Sequence, residues 1–368
     1  MPKRRPAKKR SPAAAVLLVG LCLLLLAVSR YLDSRSEPAA SVSAPEAAQA
    51  DAPKLEVHFL DIGQGDSALL FCGDEALLID GGKVKNNQKL IARLKELEVD
   101  HLDAIICSHP DEDHCGGLSA VLASTRTDAF YCSVDSWHTK VFSDVTKYVE
   151  QQGISVTIPQ AGDSFAFGEA SVEFLGPVED YGDDPNEGSL VARVRYGETS
   201  FLFTGDMGFE AEDDMLAAGV DVSATVLKVA HHGSAGSSST EFLQAVHPQY
   251  AVISVGADND YGHPTEAALN RLSACGIPVY RTDLLGEIIA VSDGKTVTIT
   301  SASNEAPPAS DAASQTAGSY GYVGNSSSKV VHLASCGKLP GESNRVYFAS
   351  LDEALAAGYR KHASCLGS

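Results

Sequence analysis

The stretch covering residues 108–117 constrains the fold of this chain more than any other, because it combines metal-binding residue types with clear structural flanks. It reads Ser-His-Pro-Asp-Glu-Asp-His-Cys-Gly-Gly. The preceding run, residues 103–107, is short and apolar and predicts a buried strand, and the following Gly-Gly-Leu opens a helical pattern. The polar residues therefore lie in a loop between a strand and a helix.

Four side chains of this loop are expected to converge on one small volume. His109 and Asp111 alternate along an extended segment and point the same way, whereas the adjacent Asp113 and His114 project to different sides of the turn. Two imidazoles and two carboxylates within six residues suit a pair of divalent metals. A solvated acidic loop with helix-capping carboxylates is the alternative, but the two histidines and the flanking strand favour metal binding.

The rest of the central region alternates strand and helix patterns. Short strands are predicted at 55–60, 68–71 and 76–79, with a helix at 87–97; after the loop, helices at 118–123 and 140–151 surround a strand near Phe130. Further strands are predicted at 172–175, 190–196 and 200–204. Strands followed by helices, twice over, fit an α/β fold in which two mixed sheets pack face to face with helices outside. This domain is predicted to span residues 54–300.

The metal loop resembles the His-x-His-x-Asp-His motif of the metallo-β-lactamase superfamily, with Asp111 where most members have the second histidine. Together with the stretch His-Phe-Leu-Asp-Ile-Gly-Gln-Gly-Asp-Ser at 58–67, it is similar to the nuclease-like domain of the ComEC family of DNA-uptake proteins. The resemblance runs from about Leu55 to Thr300 and implies the αββα sandwich of that superfamily. An oxygen ligand in place of imidazole makes one subsite harder, which widens the choice of metal from zinc towards manganese.

The resemblance also implies ligands outside the loop. Asp206, in Phe-Thr-Gly-Asp, matches the carboxylate that bridges two metals, although it is by itself only a turn aspartate. Of the pair in Ala-His-His-Gly, His231 is favoured as ligand and His232 as a supporting or proton-transfer group; a capping role is the alternative. His263, in Tyr-Gly-His-Pro, is either a further ligand or the acid that protonates the leaving oxygen.

One expected ligand is missing. The family's third-motif histidine has no counterpart between His138 and His231, and Asn186 and Ser189 lie where it would be. We therefore expect one metal subsite to be weakly occupied.

Further residues are expected to support the site. Asp80 matches a superfamily aspartate that orients the metal loop. Asp66 and Gln64 are predicted to line the cleft, and Lys228 to stabilise an anionic transition state. Ordinary structural roles are close alternatives for each of them.

These residues predict a hydrolase in which a metal-bound hydroxide attacks phosphorus or a carbonyl while a second ion stabilises the oxygens. The leading hypothesis is a phosphodiesterase, specifically a nuclease that acts on DNA outside the cell. One rival is another envelope ester hydrolase, such as a phosphocholine esterase; the other is a non-catalytic metal-binding scaffold for DNA or an envelope partner. The sequence has no Gly-x-Ser-x-Gly elbow, P-loop or dinucleotide fingerprint.

The N-terminal region predicts export. A basic start is followed by an apolar run at 13–28, which is typical of a signal peptide or a single-pass membrane anchor within residues 1–30, and the anchor is favoured. Residues 31–53 are rich in Ala, Ser, Pro and Glu and predict a flexible linker. The catalytic part is thus expected outside the cytoplasmic membrane, anchored or secreted.

The exported part is strongly acidic. Because the first 30 residues hold seven of the 28 Lys and Arg and none of the 48 acidic residues, the remainder has a net charge of −27. Such a surface repels polyanions unless metals or a local basic patch intervene, which disfavours tight binding of duplex DNA but not its cleavage at a metal centre.

The C-terminal region, residues 321–368, follows a second linker at 301–320 and is too short for a large core, so a staple is expected. It resembles the small Ada-like metal-binding module found at the ends of secreted nucleases. His332, Cys336, His362 and Cys365 fall on the ligand positions for one structural zinc, with His362 where a cysteine is usual. A disulfide between Cys336 and Cys365 is the alternative.

Overall fold

The computed structural model describes residues 54–257, 259–303, 322–333, 336, 338–341, 344–348 and 351–366. In chain order, the strands among these residues are β1 Leu55–Phe59, β2 Ala68–Cys72, β3 Glu75–Ile79, β4 His101–Leu102, β5 Ala104–Cys107, β6 Arg126–Thr127, β7 Phe130–Cys132, β8 Val156–Thr157, β9 Ser164–Phe167, β10 Ala170–Gly176, β11 Val191–Tyr196, β12 Thr199–Phe203, β13 Val226–Lys228, β14 Tyr250–Ile253, β15 Val279–Arg281, β16 Ile288–Ser292, β17 Val297–Ser301, β18 Tyr322–Asn325, β19 Val330–Leu333, β20 Arg345–Phe348 and β21 Arg360–Lys361.

The helices among the described residues are α1 Asn87–Glu96, α2 Glu112–Cys115, α3 Leu118–Ser124, α4 Lys140–Gln151, α5 Phe209–Ala217, α6 Thr240–Val246, α7 Glu266–Ala274, α8 Thr282–Leu285, α9 Leu351–Ala356 and α10 Ala363–Leu366. Single 3₁₀ turns lie at Val84–Asn86 and Ala230–Gly233.

Two large sheets carry the fold. The first has the strand order β17-β16-β1-β2-β3-β5-β7-β8 and the second has the order β15-β14-β13-β12-β11-β10-β9. In the first sheet β1, β2 and β3 are antiparallel neighbours, while β3, β5 and β7 run parallel. On the other side of β1, β16 returns late in the chain to pair with it, so that Leu55 lies opposite Ser292, and β17 forms the edge of the sheet.

The two sheets pack face to face around one apolar layer. Alternate residues of their strands, including Val57, Leu70, Phe174 and Phe201, are buried there. The opposite face of the first sheet packs against α1, α3 and α4, and that of the second packs against α5, α6 and α7. The described residues therefore form four layers, helices–sheet–sheet–helices, as the sequence predicts.

Strand direction brings the polar loops together. In the first sheet the parallel strands β3 and β5 end at Asp80 and at the metal loop, and in the second the parallel strands β12, β13 and β14 end in the loops that carry Asp206, His232 and His263. Because parallel strands place their carboxyl ends at one edge of a sheet, loops from both sheets meet at one end of the sandwich.

The C-terminal segment forms a small sheet of its own, in the order β20-β18-β19-β21. Val331, Val346 and Phe348 form its core, and β20 packs against α7 of the larger domain. The predicted membrane segment at 1–30, the linker at 31–53 and all but three residues of the linker at 301–320 lie outside the described residues. Among the helices that are described, none is long and apolar enough to cross a membrane.

Candidate metal centre

The metal loop turns directly from β5 into α2. Asp111 precedes this short helix in an extended conformation, with φ −71° and ψ 149°. His109, before the turn, and His114, inside the helix, are fully buried, while Asp111 and Asp113 are partly exposed. The loop thus points two imidazoles inward and two carboxylates towards the edge of the sandwich.

A buried carboxylate holds His114. Asp80 accepts hydrogen bonds from the Ser108 backbone nitrogen at 2.7 Å and from Ser108 Oγ at 2.8 Å, and its Oδ2 lies 2.9 Å from His114 Nδ1. Since an ionised carboxylate only accepts, Nδ1 carries a hydrogen, and Nε2 is the ring atom left to face a metal. His109 is arranged similarly, with Nδ1 3.0 Å from Ser108 Oγ.

His232 is held in the same manner by groups from both sheets. Its Nδ1 lies 2.9 Å from the carbonyl oxygen of Ser254 and 3.0 Å from Asp66 Oδ1, so Nδ1 is again the donor. His231 and His232 both have left-handed backbone conformations, with φ values of 51° and 54°. A non-glycine residue in this region costs about 1–2 kcal/mol, and here the turn directs the His232 ring into the site.

The Nε2 atoms of these three imidazoles are buried and have no hydrogen-bond partner among the described residues. His114 Nε2 lies 3.1 Å from Asp206 Oδ1 without bonding to it, and His232 Nε2 lies 3.6 Å from both Asp113 Oδ2 and Asp206 Oδ2. Buried polar atoms of native proteins are almost always partnered. Imidazole lone pairs that converge on carboxylate oxygens fit divalent cations, so the residues present suit the metals that the sequence predicts.

The pKa shifts of the side chains in this cluster also favour a bound cation. Burial lowers the pKa of His114, but Asp206 and Asp80 outweigh it and raise that pKa well above its usual range. Burial likewise disfavours charged His232, yet Asp206 and Asp66 raise its pKa to about 10. Burial raises the pKa of Asp206, but His114 and His232 hold it well below the usual range. The carboxylates thus stabilise positive charge at this point, which a metal ion also supplies.

The sequence favours His231 as ligand, whereas the geometry favours His232 beside Asp113 and His114. The ligand atoms of Asp66, His114, Asp206 and His232 all lie within 4.8 Å of one another. His231 is at the rim, with its side chain 31% exposed and its Nε2 3.6 Å from Asp206 Oδ2. His231 therefore lies next to the bridging position but outside this cluster.

A second group of ligand candidates surrounds His109. Asp111 Oδ2 lies 3.9 Å from His109 Nε2. Burial and the neighbouring Asp113 raise the pKa of Asp111, and burial together with His114 lowers the pKa of His109 to about 3, so His109 stays neutral. The neutral imidazole of His109 and the carboxylate of Asp111, which is repelled by Asp113, are therefore also suited to binding a cation.

Ser189 is one of the two residues that lie where the missing histidine is expected from the sequence. Its hydroxyl accepts a hydrogen bond from the Asp206 backbone nitrogen at 3.1 Å and lies 3.4 Å from His109 Nδ1. It is fully buried. Ser189 therefore positions Asp206 and borders His109, but it contributes no imidazole, while Asn186 lies outside these contacts.

Lys228 and Asp66 form a buried ion pair. Lys228 Nζ lies 2.6 Å from Asp66 Oδ2 and donates to the Val229 carbonyl oxygen at 2.9 Å. Although burial raises the pKa of Asp66, Lys228 and His232 lower it to about 2. Asp66 thus lies on the Nδ1 side of His232, where it orients the ring. Lys228 in turn holds Asp66 in place through the ion pair.

His263 lies further out, with its ring centre 5.5 Å from that of His231 and 6.4 Å from that of His232. Its Nδ1 is buried and has no hydrogen-bond partner among the described residues. Burial and the two neighbouring histidines lower its pKa to about 4. The ligand and proton-transfer roles both stay predictions.

Sequence reasoning missed two contributors. Ser108 connects Asp80, His109 and His114 through its hydroxyl, and its position directly before the first histidine is the only signal. Lys83 Nζ lies 3.9 Å from Asp113 Oδ2 and is hydrogen bonded to Tyr261. It follows the Gly-Gly after Asp80, but nothing in the sequence connects it with a loop about 180 residues later.

The C-terminal cluster is also assembled. The ligand atoms of His332, Cys336, His362 and Cys365 lie within 4.8 Å of one another. His362 Nδ1 is 3.3 Å from Cys365 Sγ and 3.7 Å from Cys336 Sγ, and both cysteines are free. Two imidazoles and two thiols form a Cys₂His₂ set, which is typical of tetrahedral zinc.

The four-layer fold and the imidazole–carboxylate cluster at its edge define a protein of the αββα sandwich class with a candidate metal site. Residues 60–257 match the family model of the metallo-beta-lactamase superfamily, and the chain belongs to that superfamily. The predicted membership is thereby confirmed.

Two curated relatives narrow the comparison. The chain is 35% identical over 230 residues to competence protein ComA of Neisseria gonorrhoeae, a match that covers 62% of this chain and 31% of that protein. It is 30% identical over 251 residues to ComE operon protein 3 of Bacillus subtilis, covering 63% and 32% respectively. The resemblance to ComEC is therefore confirmed for this domain, which matches about a third of the length of either relative.

Among solved structures, the metallo-beta-lactamase fold protein YhfI from Bacillus subtilis matches 54% of this chain and 85% of its own, with a TM-score of 0.39 and 16% identity.

Proposed function

We propose that this protein is a metal-dependent phosphodiesterase that cleaves DNA outside the cell. The observation that carries the proposal is the convergence of two buried, unpartnered imidazole nitrogens, His114 Nε2 and His232 Nε2, on the carboxylates of Asp113 and Asp206. A third, His109 Nε2, lies beside Asp111. The similarity to proteins named for competence supports DNA as the substrate.

In this proposal one metal would be held by Asp113, His114 and His232 and a second by His109 and Asp111, and Asp206 would contribute to either. Divalent metals supply the Lewis acidity that makes water nucleophilic and neutralises charge on phosphate oxygens. Asp80, Ser108, Asp66 and the Ser254 carbonyl keep the imidazole protons on Nδ1, so that every Nε2 is free to bind.

The two subsites are expected to differ in affinity. The set around His114 and His232 has two imidazoles held by buried acceptors, whereas the set around His109 has Ser189 where an imidazole is usual. We therefore expect titration of the metal-free protein with manganese or zinc to give a tight and a weak step. Ser189→His is expected to tighten the weak step.

The test uses the full chain, purified in mild detergent and stripped of metal with a chelator. Manganese or zinc is restored, and cleavage of single-stranded DNA, duplex DNA and an aryl phosphodiester is measured for the wild type and Asp113→Ala. Metal-dependent DNA cleavage that is lost in the variant supports the proposal. Cleavage of the aryl ester alone favours another envelope ester as substrate, and metal binding without cleavage favours a scaffold.

We also propose that the C-terminal cluster binds one structural zinc. Its support is the approach of His362 Nδ1 to both free sulfurs and the stacking of the His332 and His362 rings, whose centres are 4.0 Å apart. Cobalt substitution would give thiolate-to-metal absorption bands, and Cys336→Ser would remove them. A disulfide that blocks both thiols from alkylation would refute this proposal.

Export and attachment to the membrane through residues 1–30 complete the proposal. Fractionation of cells that express the full chain, followed by protease treatment of intact cells, tests them. The catalytic domain is expected in the membrane fraction and accessible to protease.

A further inference from the structure

Tyr261 is an unusually exposed aromatic residue beside the metal centre. At 59% exposure, it is the most exposed large hydrophobic side chain among the described residues. Its ring lies nearly parallel to that of His263, with centres 5.8 Å apart and planes at 25°. Since the His263 ring lies 5.5 Å from that of His231, a line of rings leads from the solvent-exposed rim to the metal cluster.

Lys83 contacts Tyr261 from another loop. Its Nζ lies 3.3 Å from the Tyr261 hydroxyl oxygen and 5.0 Å from the ring centre, so the ammonium sits at the hydroxyl end of the ring. The same Nζ lies 3.9 Å from Asp113 Oδ2. Lys83 therefore joins the loop after β3 to the loop after β14 beside a proposed metal ligand, and much of the Tyr261 ring is left uncovered.

The side chain of Asn259 holds the backbone of the loop that carries Tyr261. The Asn259 amide nitrogen donates to the carbonyl oxygens of Gly256 and His263, and the His263 backbone nitrogen donates to Asn259 Oδ1. A ring on such a loop is held in place before any ligand arrives, which lowers the entropy lost on binding.

The charge of the chain favours a local contact that does not depend on net charge. With a net charge of −20, the protein gains little from general attraction to a polyanion. Stacking of a base on an aromatic ring does not depend on net charge, and it requires a base that is free of its own neighbours.

We propose that Tyr261 is a stacking platform for one unpaired nucleobase and that Lys83 contacts the phosphate next to it. The inference rests on the proposed phosphodiesterase function and names its substrate class as single-stranded nucleic acid. A duplex is a poorer substrate because its bases are already stacked and paired. Tyr261 and Lys83 are thus binding residues that determine which phosphodiester enters the site.

The experiment compares two esters that differ in the base. The full chain in mild detergent with manganese is assayed on thymidine 5′-(p-nitrophenyl phosphate) and on methyl p-nitrophenyl phosphate. The wild type is expected to prefer the thymidine ester. Tyr261→Ala is expected to lower kcat/KM for the thymidine ester about tenfold more than for the methyl ester, and Tyr261→Trp to retain the preference. Ile158→Ala, another exposed hydrophobic residue, is the matched control.

Binding gives a second readout. The affinity for a fluorescein-labelled oligothymidine phosphorothioate is measured by anisotropy at several salt concentrations. Tyr261→Ala is expected to weaken binding about tenfold. Lys83→Ala is expected to reduce the slope of log affinity against log salt by about 0.7, the value for one phosphate contact on a single strand.

The outcomes are separable. If the wild type cleaves both esters and Tyr261→Ala lowers both equally, the inference is overturned while the phosphodiesterase proposal stands. If the wild type cleaves neither ester, both proposals fail. An unchanged salt slope in Lys83→Ala refutes the phosphate contact alone.

Discussion

Replacing Asp80 with asparagine tests how this site is prepared for metal. Asp80 is 1% exposed and serves the Ser108 backbone nitrogen, Ser108 Oγ and His114 Nδ1 at 2.7, 2.8 and 2.9 Å. In Asp80→Asn the amide oxygen must stay on the Ser108 nitrogen, because two N–H groups repel. The new NH₂ then faces His114 Nδ1 and favours the His114 tautomer with its proton on Nε2. That proton occupies the nitrogen whose lone pair is needed to bind the metal.

The expected loss of metal affinity is about 10- to 100-fold, as for other residues that orient a ligand, or about 1.4–2.7 kcal/mol. Loss of a charged acceptor is expected to cost a further ~1.5–3 kcal/mol of unfolding free energy in the metal-free protein. Competition with a chromophoric chelator measures the affinity, urea unfolding in the presence of a chelator measures the stability, and nitrogen NMR of the His114 ring reports the tautomer.

Asp293→Asn is the control, since Asp293 also accepts backbone hydrogen bonds, from Lys295 and Thr296, but lies in an exposed turn. An Asp80→Asn variant that binds metal within twofold of the wild type, or that keeps the Nδ1–H tautomer, would refute the reasoning.

Three further predictions follow from the same structure. Asp206→Asn is expected to remove most of the rise in Tm that zinc or manganese gives the metal-free wild type, because Asp206 faces both His114 and His232. Differential scanning fluorimetry measures the rise, and an undiminished rise in the variant would contradict this prediction. Gly65→Ala is expected to destabilise the protein and weaken metal binding, because a Cβ there would collide with the Asp113 carbonyl oxygen. Gly73→Ala, also at positive φ but with open space around it, should cost only about 1 kcal/mol, and equal losses in the two variants would show that the close contact is unimportant. Glu287 pairs with Arg93 and His58 at 2.7 Å, and its pKa lies below its usual 4.5 because His58 and Arg93 outweigh the effect of burial. Its contribution to folding stability is therefore present above about pH 4.5 and is lost as the pH falls through the lower folded-state pKa. In urea titrations, Glu287→Gln should lower the unfolding free energy by ~1–3 kcal/mol at pH 7 and by clearly less at pH 3.

Local patterns predicted the elements that surround the metal loop. The strand before the loop, predicted at 103–107, is observed at Ala104–Cys107, and the helix predicted at 140–151 is observed with the same bounds. These segments have strong periodicity and clear flanks, so neighbouring residues are enough to specify them. The predicted metallo-β-lactamase fold is confirmed by the family model as well as by the layers.

The relations that local patterns could not predict are long-range. The pairing of β1 with β16 joins residues more than 200 positions apart, and the ion pair of Asp66 with Lys228 connects the two sheets. The left-handed turn at His231 and His232 is likewise set by tertiary contacts, because non-glycine residues have no local preference for it. For this reason the choice between the two histidines depended on the three-dimensional structure.

The pairing of β16 with β1 also determines where the chain enters and leaves the two-sheet domain. β1, the first strand, and β17, the last, are the two neighbours of β16 in the same sheet. The chain therefore enters and leaves the sandwich near the same edge of this sheet, with Leu55 and Ser301 at opposite ends of the parallel strands β1 and β17. Such an arrangement tolerates insertion into a longer polypeptide and circular permutation. A permuted protein in which a glycine-rich linker, long enough to run the length of a strand, joins Ser301 to Leu55, with new termini in an exposed loop, is expected to retain both the fold and the metal centre.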